Sequence, residues 1–280
     1  MFQIKLMREQ DFLFATKLAN TMGWNMAIED FKFNKTLEPR GCFVALDGRE
    51  RVGVATCISF GKVGWFGSLI IKEKYRGQGV GSFLVKHAVA YLQTEGVKTI
   101  GIYAYPYLSD FYGGLGFKQD EEFSVLHAQT VTATSSEKSP AIIQTDQVEL
   151  IERFDSGFFG ANRKKVLAPI ILEKGNLGYF VSDNSGVVGY VGASVYWTMP
   201  SVGPMICKEG EVDAAASLLK AVLGKLAGRN VYAVVPKKQE LLMNMLFSAG
   251  FREAFSMLRM FFGQPVAKNC IYMAESLERG

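Results

Sequence analysis

The sequence predicts a mixed α/β protein in which one architecture occurs twice. Helical and strand patterns alternate along the 280 residues, with strand hairpins ahead of a strand, a glycine-rich turn and a helix. The second observation is a repeat, because a constant offset links Val52-Gly53 to Val188-Gly189 and residues 67–73 to residues 203–209. The length suits one large domain or two modest ones, and the 49% hydrophobic content is enough for a sizeable core.

Helical spacing and apolar runs define the elements of the first half. Residues 8–22 form an amphipathic helix with Phe12, Ala15 and Leu18 on its apolar face. The stretch from Ser82 to Thr94 has a similar stripe, and residues 108–117 predict a short helix that Gly116 would stop. The predicted strands are Phe43–Leu46, Val52–Phe60, Trp65–Ile71, residues 99–105 and residues 121–129.

The second half repeats this order. Two hairpins, at residues 41–60 and 178–197, each have an apolar strand, a polar turn and a second strand, and Gly116-Phe117 recurs as Gly250-Phe251. We interpret this as a duplication, while chance recurrence of a hydrophobic hairpin is the alternative. Between the halves, residues 128–140 are rich in Ser and Thr and end in Pro140, which is typical of a linker. The predicted domains are therefore residues 1–130 and 141–280.

Composition excludes several classes of protein. The net charge is only +4 and no Lys/Arg block is present, so we predict no nucleic-acid partner. The four cysteines are scattered, which predicts neither a metal site nor a disulfide framework. Apolar runs such as Val166–Leu172 are too short to span a bilayer, and the first residues lack a signal-peptide core, so we expect a cytoplasmic protein without membrane contact.

The stretch "KYRGQGVGS", residues 74–82, is the strongest chemical signal. Unpaired N–H groups at a helix start carry partial positive charge, and glycines let an anion approach the backbone. The loop therefore predicts a phosphate or pyrophosphate site, with a tight turn without ligand as the alternative. The pattern is not the P-loop motif, because Ser82-Phe83 follows Gly81 and the loop has no lysine. It is also a poor dinucleotide fingerprint, because no carboxylate ends the next strand.

The loop resembles motif A of the GNAT superfamily of acyl-CoA-dependent N-acetyltransferases. The residues Arg76-Gly77-Gln78-Gly79-Val80-Gly81 match its pattern Gln/Arg-x-x-Gly-x-Gly/Ala. The superfamily's aromatic-rich helix ending in Gly-Phe has its counterpart at residues 111–117. The resemblance implies a tandem GNAT-like fold and acetyl-CoA as the cofactor.

The resemblance also implies roles for individual residues. The pantetheine arm would pair like an added strand with the backbone of Leu69, Ile70 and Ile71. An amide of Ile70 or Ile71 would stabilise the oxyanion, and Tyr112 would be the general acid for the leaving thiolate. Tyr105 stands where the superfamily commonly has an Asn that contacts the cofactor. The residues implied to hold the pyrophosphate through their amides are Arg76, Gly77, Gln78, Gly79, Val80, Gly81 and Ser82.

The acceptor side is less defined. Glu29, Asp30 and Glu38 lie in the region that shapes the acceptor pocket in this superfamily, but we expect each to be a solvated surface carboxylate, so no general base is assigned. Trp24-Asn25 is the pair we expect to line the acceptor site, although packing explains Trp24 as well. Two more residues, His87 and His127, are expected to have surface or structural roles rather than catalytic ones.

The second half lacks the glycines of the loop. At the same offset they become Asp213, Ala215 and Ser217, which would block or repel a phosphate, so we expect no cofactor site there. The whole chain resembles bacterial and archaeal tandem GNAT proteins with a degenerate second domain. In the stretch 154–167, Asn162 stands where that group often has Asp, and Arg163 is either a ligand for an anionic acceptor or an exposed or capping arginine.

Two functions follow from these patterns. The first is an N-acetyltransferase that acts on a small-molecule, amino-acid or peptide amine. The alternative is a non-catalytic acyl-CoA sensor, which would not need an acid such as Tyr112 beside the sulfur. The sequence does not define the acceptor or the oligomeric state.

Overall fold

The computed structural model describes residues 1–132, 140–195, 200–265 and 269–280. The helices in these ranges are α1 (Glu9–Asn20), α2 (Ile28–Leu37), α3 (Val80–Thr94), α4 (Ser109–Gly113), α5 (Val148–Phe159), α6 (Lys164–Leu172), α7 (Val212–Lys225) and α8 (Glu240–Ser248). The strands are β1 (Phe2–Leu6), β2 (Cys42–Asp47), β3 (Glu50–Ser59), β4 (Val63–Ile71), β5 (Thr99–Ala104), β6 (Phe117–Ala128), β7 (Ala141–Ile142), β8 (Leu177–Asp183), β9 (Gly186–Ser194), β10 (Ser201–Lys208), β11 (Val231–Pro236), β12 (Arg252–Phe262) and β13 (Cys270–Met273).

All of these strands belong to one mixed sheet. Its order is β1-β2-β3-β4-β5-β12-β6-β11-β10-β9-β8-β7, and β13 pairs with β10 beside this path. Most neighbours are antiparallel, whereas β4–β5 and β10–β11 are parallel. The mixed α/β class predicted from the sequence is confirmed.

The two halves repeat the same order of elements. The series β2-β3-β4-α3-β5-α4-β6 in the first half recurs as β8-β9-β10-α7-β11-α8-β12 in the second. Both copies have a bulge in the third strand of the series, between Gly67 and Ile70 in β4 and between Val202 and Met205 in β10. The predicted internal repeat is confirmed, whereas β13 is an addition that the first half lacks.

The halves exchange their last long strands. Strand β12 of the second half lies between β5 and β6 of the first, with Met260 opposite Ile102. Strand β6 of the first half in turn pairs with β11 of the second, with Val125 opposite Val234. Each half therefore completes its sheet with a strand from the other, and the sequence had left open whether the halves share a sheet edge.

Helices cover both faces of the sheet, which explains why the strands are continuous apolar runs. In β2, Val44 packs into the cluster under α1, while its neighbour Phe43 packs on the opposite face under α3. The central core draws on both halves. Trp65 of β4 contacts Phe159 of α5 and Phe261 of β12, with ring centroids 6.3 and 6.0 Å apart.

The first residues of the connection between the halves are hydrogen-bonded to the second half. The predicted linker is residues 128–140, of which 133–139 lie outside the described residues. Ahead of them, the N–H of Val131 donates to the carbonyl of Arg229, and the N–H of Thr132 donates to that of Ala249. Within the described ranges, no helix is both long and apolar enough to cross a membrane.

Candidate active site

A cleft opens in the sheet where β4 and β5 separate. The two strands pair only at their beginnings, with Val63 opposite Thr99 and Trp65 opposite Gly101. Beyond that point the bulge in β4 moves the strand aside, and Ser68 in the bulge has a φ of 48°, a strained value for a residue with a side chain. The cleft leads into a cavity of ≈ 440 Å³ lined by residues from both halves.

The glycine loop follows β4 at the end where this strand has separated from β5, so it lies beside the opening of the cleft, and none of its residues lines the cavity. No backbone N–H from Gly77 to Ser82 makes a hydrogen bond of normal geometry with another group of the described chain. The N–H of Arg76 differs, because it donates to the carbonyl of Glu73 at 3.0 Å. Six consecutive free donors at the start of α3 form an anion-binding arrangement that a tight turn alone would not need.

The three glycines of the loop serve two purposes. Gly77 and Gly79 have φ values of 74° and 83°, and a Cβ at either would meet nothing within 4 Å. Glycine is therefore needed at both positions because the backbone is left-handed there, and not because a side chain would lack room. At Gly81 a Cβ would lie 3.4 Å from the ring of Phe111, an ordinary contact, so the second purpose, close approach of α3 and α4, does not strictly require glycine. Outside the glycines, Arg76 Nε donates to the carbonyl of Ile71 at 3.1 Å and braces the loop against β4.

Tyr112 lies on α4 and lines the cavity from the β5 side. Only 6% of its surface is exposed, and its ring contacts those of Phe111 and Phe117 with centroids 4.9 and 5.8 Å away. Burial raises the pKa of the phenol above its usual value. Within the described residues no hydrogen bond to the phenol oxygen is present, and the raised pKa keeps the phenol protonated at neutral pH.

The structure separates the predicted pair Trp24-Asn25. Trp24 lines the cavity, and its indole Nε1 donates to the hydroxyl of Tyr105 at 3.0 Å. Asn25 is exposed in a turn with a φ of 49° and does not line the cavity. Tyr105, the departure from the superfamily's Asn, is stacked on Tyr107 and forms part of the aromatic wall.

The three candidate carboxylates have different surroundings. Asp30 lines the cavity, and burial raises its pKa. Glu29 is exposed, with Lys32 as its partner at 3.7 Å. Glu38 is buried and accepts hydrogen bonds from the Ser59 N–H, the Tyr91 hydroxyl and Lys165 Nζ. Burial opposes ionisation of Glu38, but these donors outweigh it and lower its pKa, so Glu38 is a structural anchor rather than a base.

Arg163 is not brought to the cavity. Its side chain is fully buried, with Nη2 2.7 Å from Asp155 Oδ1 and Nε 3.1 Å from Asp155 Oδ2. Nη1 donates to the carbonyl of Gly280, and the guanidinium lies 3.9 Å from the ring centroid of Phe159. These partners place Arg163 in the core between the halves. Its neighbour Asn162 accepts a hydrogen bond from the Lys164 N–H, in the turn that leads into α6.

Both histidines lie away from the cavity. His87 is on the outer side of α3, where its ring meets Phe43 edge-on at 4.7 Å. His127 bonds to Asn230 at 2.8 Å and stacks on Tyr232. Neither ring lines the cavity. Among the described residues, no group of His, Cys, Asp and Glu side chains could hold a metal ion.

The second half does not reproduce the loop. Helix α7 begins at Val212, which corresponds to Arg76, so the positions of the glycines lie inside the helix. The N–H of Ala215 already donates to the carbonyl of Glu211 at 3.0 Å. The row of free amides is therefore missing, and Asp213 adds a negative charge in the first turn.

The cleft of the second half is also filled. Strand β13 pairs antiparallel with β10, with Met205 opposite Met273 and Cys207 opposite Ile271. Positions 205–208 correspond to 69–72 in β4, so β13 occupies the backbone that an added strand would use. Beyond β13, residues 275–279 line the cavity of the first half. Sequence reasoning missed both β13 and this segment, because a four-residue apolar run carries no signal of its partner.

Two family models match the chain. The model described as "Acetyltransferase (GNAT) family" matches residues 10–117, and the model described as "Acetyltransferase (GNAT) domain" matches residues 151–272. Together they cover most of the sequence. No curated protein is similar enough to match.

Solved structures share the fold over nearly the whole chain. A candidate acetyltransferase from Pyrococcus horikoshii has a TM-score of 0.81 at 16% identity, covering 100% of this chain and 96% of its own. A GCN5-related N-acetyltransferase from Sphaerobacter thermophilus has a TM-score of 0.66 at 11% identity, with coverages of 96% and 97%. A tandem GNAT protein from the clavulanic acid biosynthesis pathway has a TM-score of 0.61 at 13% identity, with coverages of 96% and 100%.

Proposed function

The chain belongs to the GNAT acetyltransferase family, and on this premise we propose that it transfers the acetyl group of acetyl-CoA to a primary amine of a small molecule, amino acid or peptide. The observation that carries the proposal is the row of free amides from Gly77 to Ser82 beside the opening of a cleft that has Tyr112 in its wall. An anion site, an open strand edge and a protonated phenol occur here together.

The residues of the first half fit an acyl-CoA. The amides of Gly77 to Ser82 would hold its pyrophosphate, and no side-chain carboxylate lies within the loop. The edge of β4 that faces β5 lacks a strand partner after Trp65. Ile70 faces β3, because it is paired with Val54 in the register that also bonds the Lys72 N–H to the Val52 carbonyl, so the backbone of Leu69 and Ile71 is what this edge offers a pantetheine arm. Arg76 already occupies the carbonyl of Ile71, which leaves Leu69 and the Ile71 N–H.

Acetyl-CoA supplies the activated acetyl group, and the protein contributes few groups to its transfer. Of the two amides expected from the sequence, that of Ile71 would stabilise the developing oxyanion, because Ile70 is paired with Val54 of β3. The acceptor would attack as the neutral amine: the C–N bond forms, the C–S bond breaks, the nitrogen releases a proton to solvent, and Tyr112 would donate its own proton to the leaving sulfur. The raised pKa of Tyr112 keeps its phenol protonated at neutral pH. The wall formed by Trp24 and Tyr105 would orient the acceptor and exclude water.

We propose a single acyl-CoA site in each chain. In the second half, β13 occupies the equivalent strand edge and α7 replaces the equivalent loop. That half would therefore support the first by supplying β12 to the sheet and residues 275–279 to the cavity.

Release of free thiol from acetyl-CoA, measured over a panel of primary amines, tests the proposal. We expect release that depends on the amine and an acetylated product that grows in equal amount. Binding of acetyl-CoA without release for any amine would contradict the enzyme and favour the sensor. Because a sensor does not need the free phenol of Tyr112 beside the cleft, the enzyme is the function that the geometry supports best.

A further inference from the structure

The wall of the first-half cavity includes a segment delivered from the second half. After β13, the Ala274 N–H donates to the carbonyl of Val234 at 3.0 Å, and the chain then crosses toward β4. There it packs so closely that a Cβ on Gly67 would lie 2.8 Å from the Cα of Glu278. Glu278 thus lies beside Gly67, the residue that precedes Ser68 in the bulge, and it lines the cavity.

Negative charge dominates the lining of the cavity. Among the described lining residues, the charged side chains are Asp30, Glu275, Glu278 and Arg279. Arg279 is committed to Glu275, with Nε–Oε2 and Nη2–Oε1 distances of 2.8 and 2.9 Å, and it also donates to Asn34. The charges of Arg279 and Glu275 cancel each other, so those of Asp30 and Glu278 remain uncompensated in the lining.

Neither of these carboxylates has an ion-pair partner within 4.0 Å in the described chain. One oxygen of Asp30 accepts the N–H of Ala27 at 2.7 Å, which caps α2 and orients the group. Burial raises the pKa of Glu278, nearby Arg279 opposes this, and nearby Asp30 and Glu275 add to it. Two partly desolvated carboxylates that share one cavity favour a cation between them.

Two buried hydroxyls in the wall leave hydrogen-bonding capacity that a polar ligand would satisfy. Ser68 and Ser194 both line the cavity and are only 5% and 8% exposed. Neither Oγ has a hydrogen-bond partner in the described chain. A buried hydroxyl without a partner costs about 1–3 kcal/mol, and a polar ligand that bonds to it recovers that cost.

The rest of the wall is largely apolar and includes several aromatic rings. Trp24 and Tyr105 are joined by a hydrogen bond, and the ring of Tyr105 lies 5.6 Å from that of Phe255 in β12. Tyr232 of β11 lines the same space from the second half. Such rings bind apolar bodies and also attract cations over their faces.

We propose that the acceptor is a positively charged amine on an aromatic or other apolar body, with its ammonium held by Asp30 and Glu278 and a second polar group bonded to Ser68 or Ser194. Anionic acceptors are excluded by the same carboxylates. This inference deepens the proposed function and rests on it, because only an acetyltransferase has an acceptor. The amine binding that it describes needs no acetyl-CoA.

Calorimetric titration with three ligands of similar shape tests this inference: 2-phenylethylamine, 2-phenylethanol and 3-phenylpropionate. We expect the full-length protein to bind the amine at least about tenfold more tightly than the alcohol, which corresponds to about 1.4 kcal/mol, and not to bind the carboxylate. The preference should be lost in Glu278→Gln and in Asp30→Asn. The control variant Glu29→Gln also replaces a carboxylate by an amide, but on the exposed residue next to Asp30, and it should keep the preference for the amine.

The outcomes separate this inference from the proposed function. Equal affinity for amine and carboxylate, absence of amine binding, or a preference that survives in the Glu278→Gln/Asp30→Asn double variant would each overturn the inference. A protein that binds acetyl-CoA yet shows any of these results keeps its proposed function. A protein that prefers the amine but does not bind acetyl-CoA supports the site and contradicts the acetyltransferase.

Discussion

Gly67 of the first half and Glu278 of the second lie in direct contact. A Cβ at position 67 would come within 2.8 Å of the Cα of Glu278 and 3.1 Å of its Cβ. The contact occurs one residue before the bulge of β4, where the proposed acyl-CoA and acceptor meet. The second half therefore has a part in the site even though its own cleft is filled by β13.

This contact predicts the effect of Gly67→Ala. The added methyl group must displace residue 278 or β4, and overpacking of this kind lowers the free energy of unfolding by about 1–3 kcal/mol. We expect weaker binding of 2-phenylethylamine, with the affinity for acetyl-CoA nearly unchanged, because the loop at Gly77 is not touched. Urea unfolding and calorimetry measure the two effects.

The matched control is Gly157→Ala. A Cβ at Gly157 would meet nothing within 4 Å, and the position lies inside α5, so this variant should be neutral or slightly stabilised. Wild-type stability together with wild-type amine affinity in Gly67→Ala would show that the segment does not depend on the absence of a side chain at position 67.

Replacement of Tyr112 by Phe tests the proposed acid. The variant keeps the ring packed against Phe111 and Phe117 and removes only the hydroxyl. We expect kcat to fall by about 100-fold with little change in the affinity for acetyl-CoA. Tyr179→Phe removes the hydroxyl of another buried tyrosine, in the second half and outside the cavity, and should retain full activity. An unchanged kcat in Tyr112→Phe would remove Tyr112 from the chemistry.

The buried pair of Asp155 and Arg163 predicts a loss of stability. Asp155 also accepts a hydrogen bond from the Tyr190 hydroxyl, and all three side chains are buried. Asp155→Ala leaves the guanidinium without its carboxylate, and we expect the free energy of unfolding to fall by about 3–5 kcal/mol. Glu29→Gln breaks an exposed pair and should cost less than about 1 kcal/mol. A stable Asp155→Ala variant with an altered KM for the acceptor would return Arg163 to the list of substrate ligands.

Amine binding should depend on pH through the cavity carboxylates. Asp30 and Glu278 attract an ammonium only when ionised, and burial raises the pKa of both. Their charge, and with it the affinity for 2-phenylethylamine, is therefore present at high pH and is lost as the pH falls through these raised pKa values. The loss begins at a higher pH than for an exposed carboxylate, whose pKa is about 4. Titration from about pH 8 to about pH 5 checks this, since the amine stays protonated throughout, and a flat affinity would contradict it.

Local patterns explain which features the sequence predicted. The glycine loop, α3 and Tyr112 lie close together in the chain, and each carries its own signal: positive φ at Gly77 and Gly79, helical spacing in α3, and the aromatic run that includes Tyr112. The elements of both halves follow from apolar periodicity in the same way. Signals of this kind do not depend on where the rest of the chain folds.

The features that the sequence missed depend on distant contacts. Nothing in residues 270–278 indicates that they would pair with β10 and then pack on Gly67. The pairing depends on the unpaired edge of β10, a strand that is distant in the sequence. The exchange of β6 and β12 is equally non-local. Arg163 is a residue type that often binds anionic ligands, but here it is buried against Asp155 of the preceding helix. That pairing forms only when α5 and α6 pack together, so the sequence does not reveal it.

Calorimetric titration with acetyl-CoA tests the central claim most directly. We predict one molecule bound per chain in the wild type, and a loss of affinity of at least about 100-fold in Gly79→Asp, because the new carboxylate would face the pyrophosphate among the free amides. Gly96→Asp is the matched control, since Gly96 ends the same helix with a φ of 84° and equally open surroundings, and it should bind normally. Two molecules per chain, or unchanged affinity in Gly79→Asp, would contradict the account.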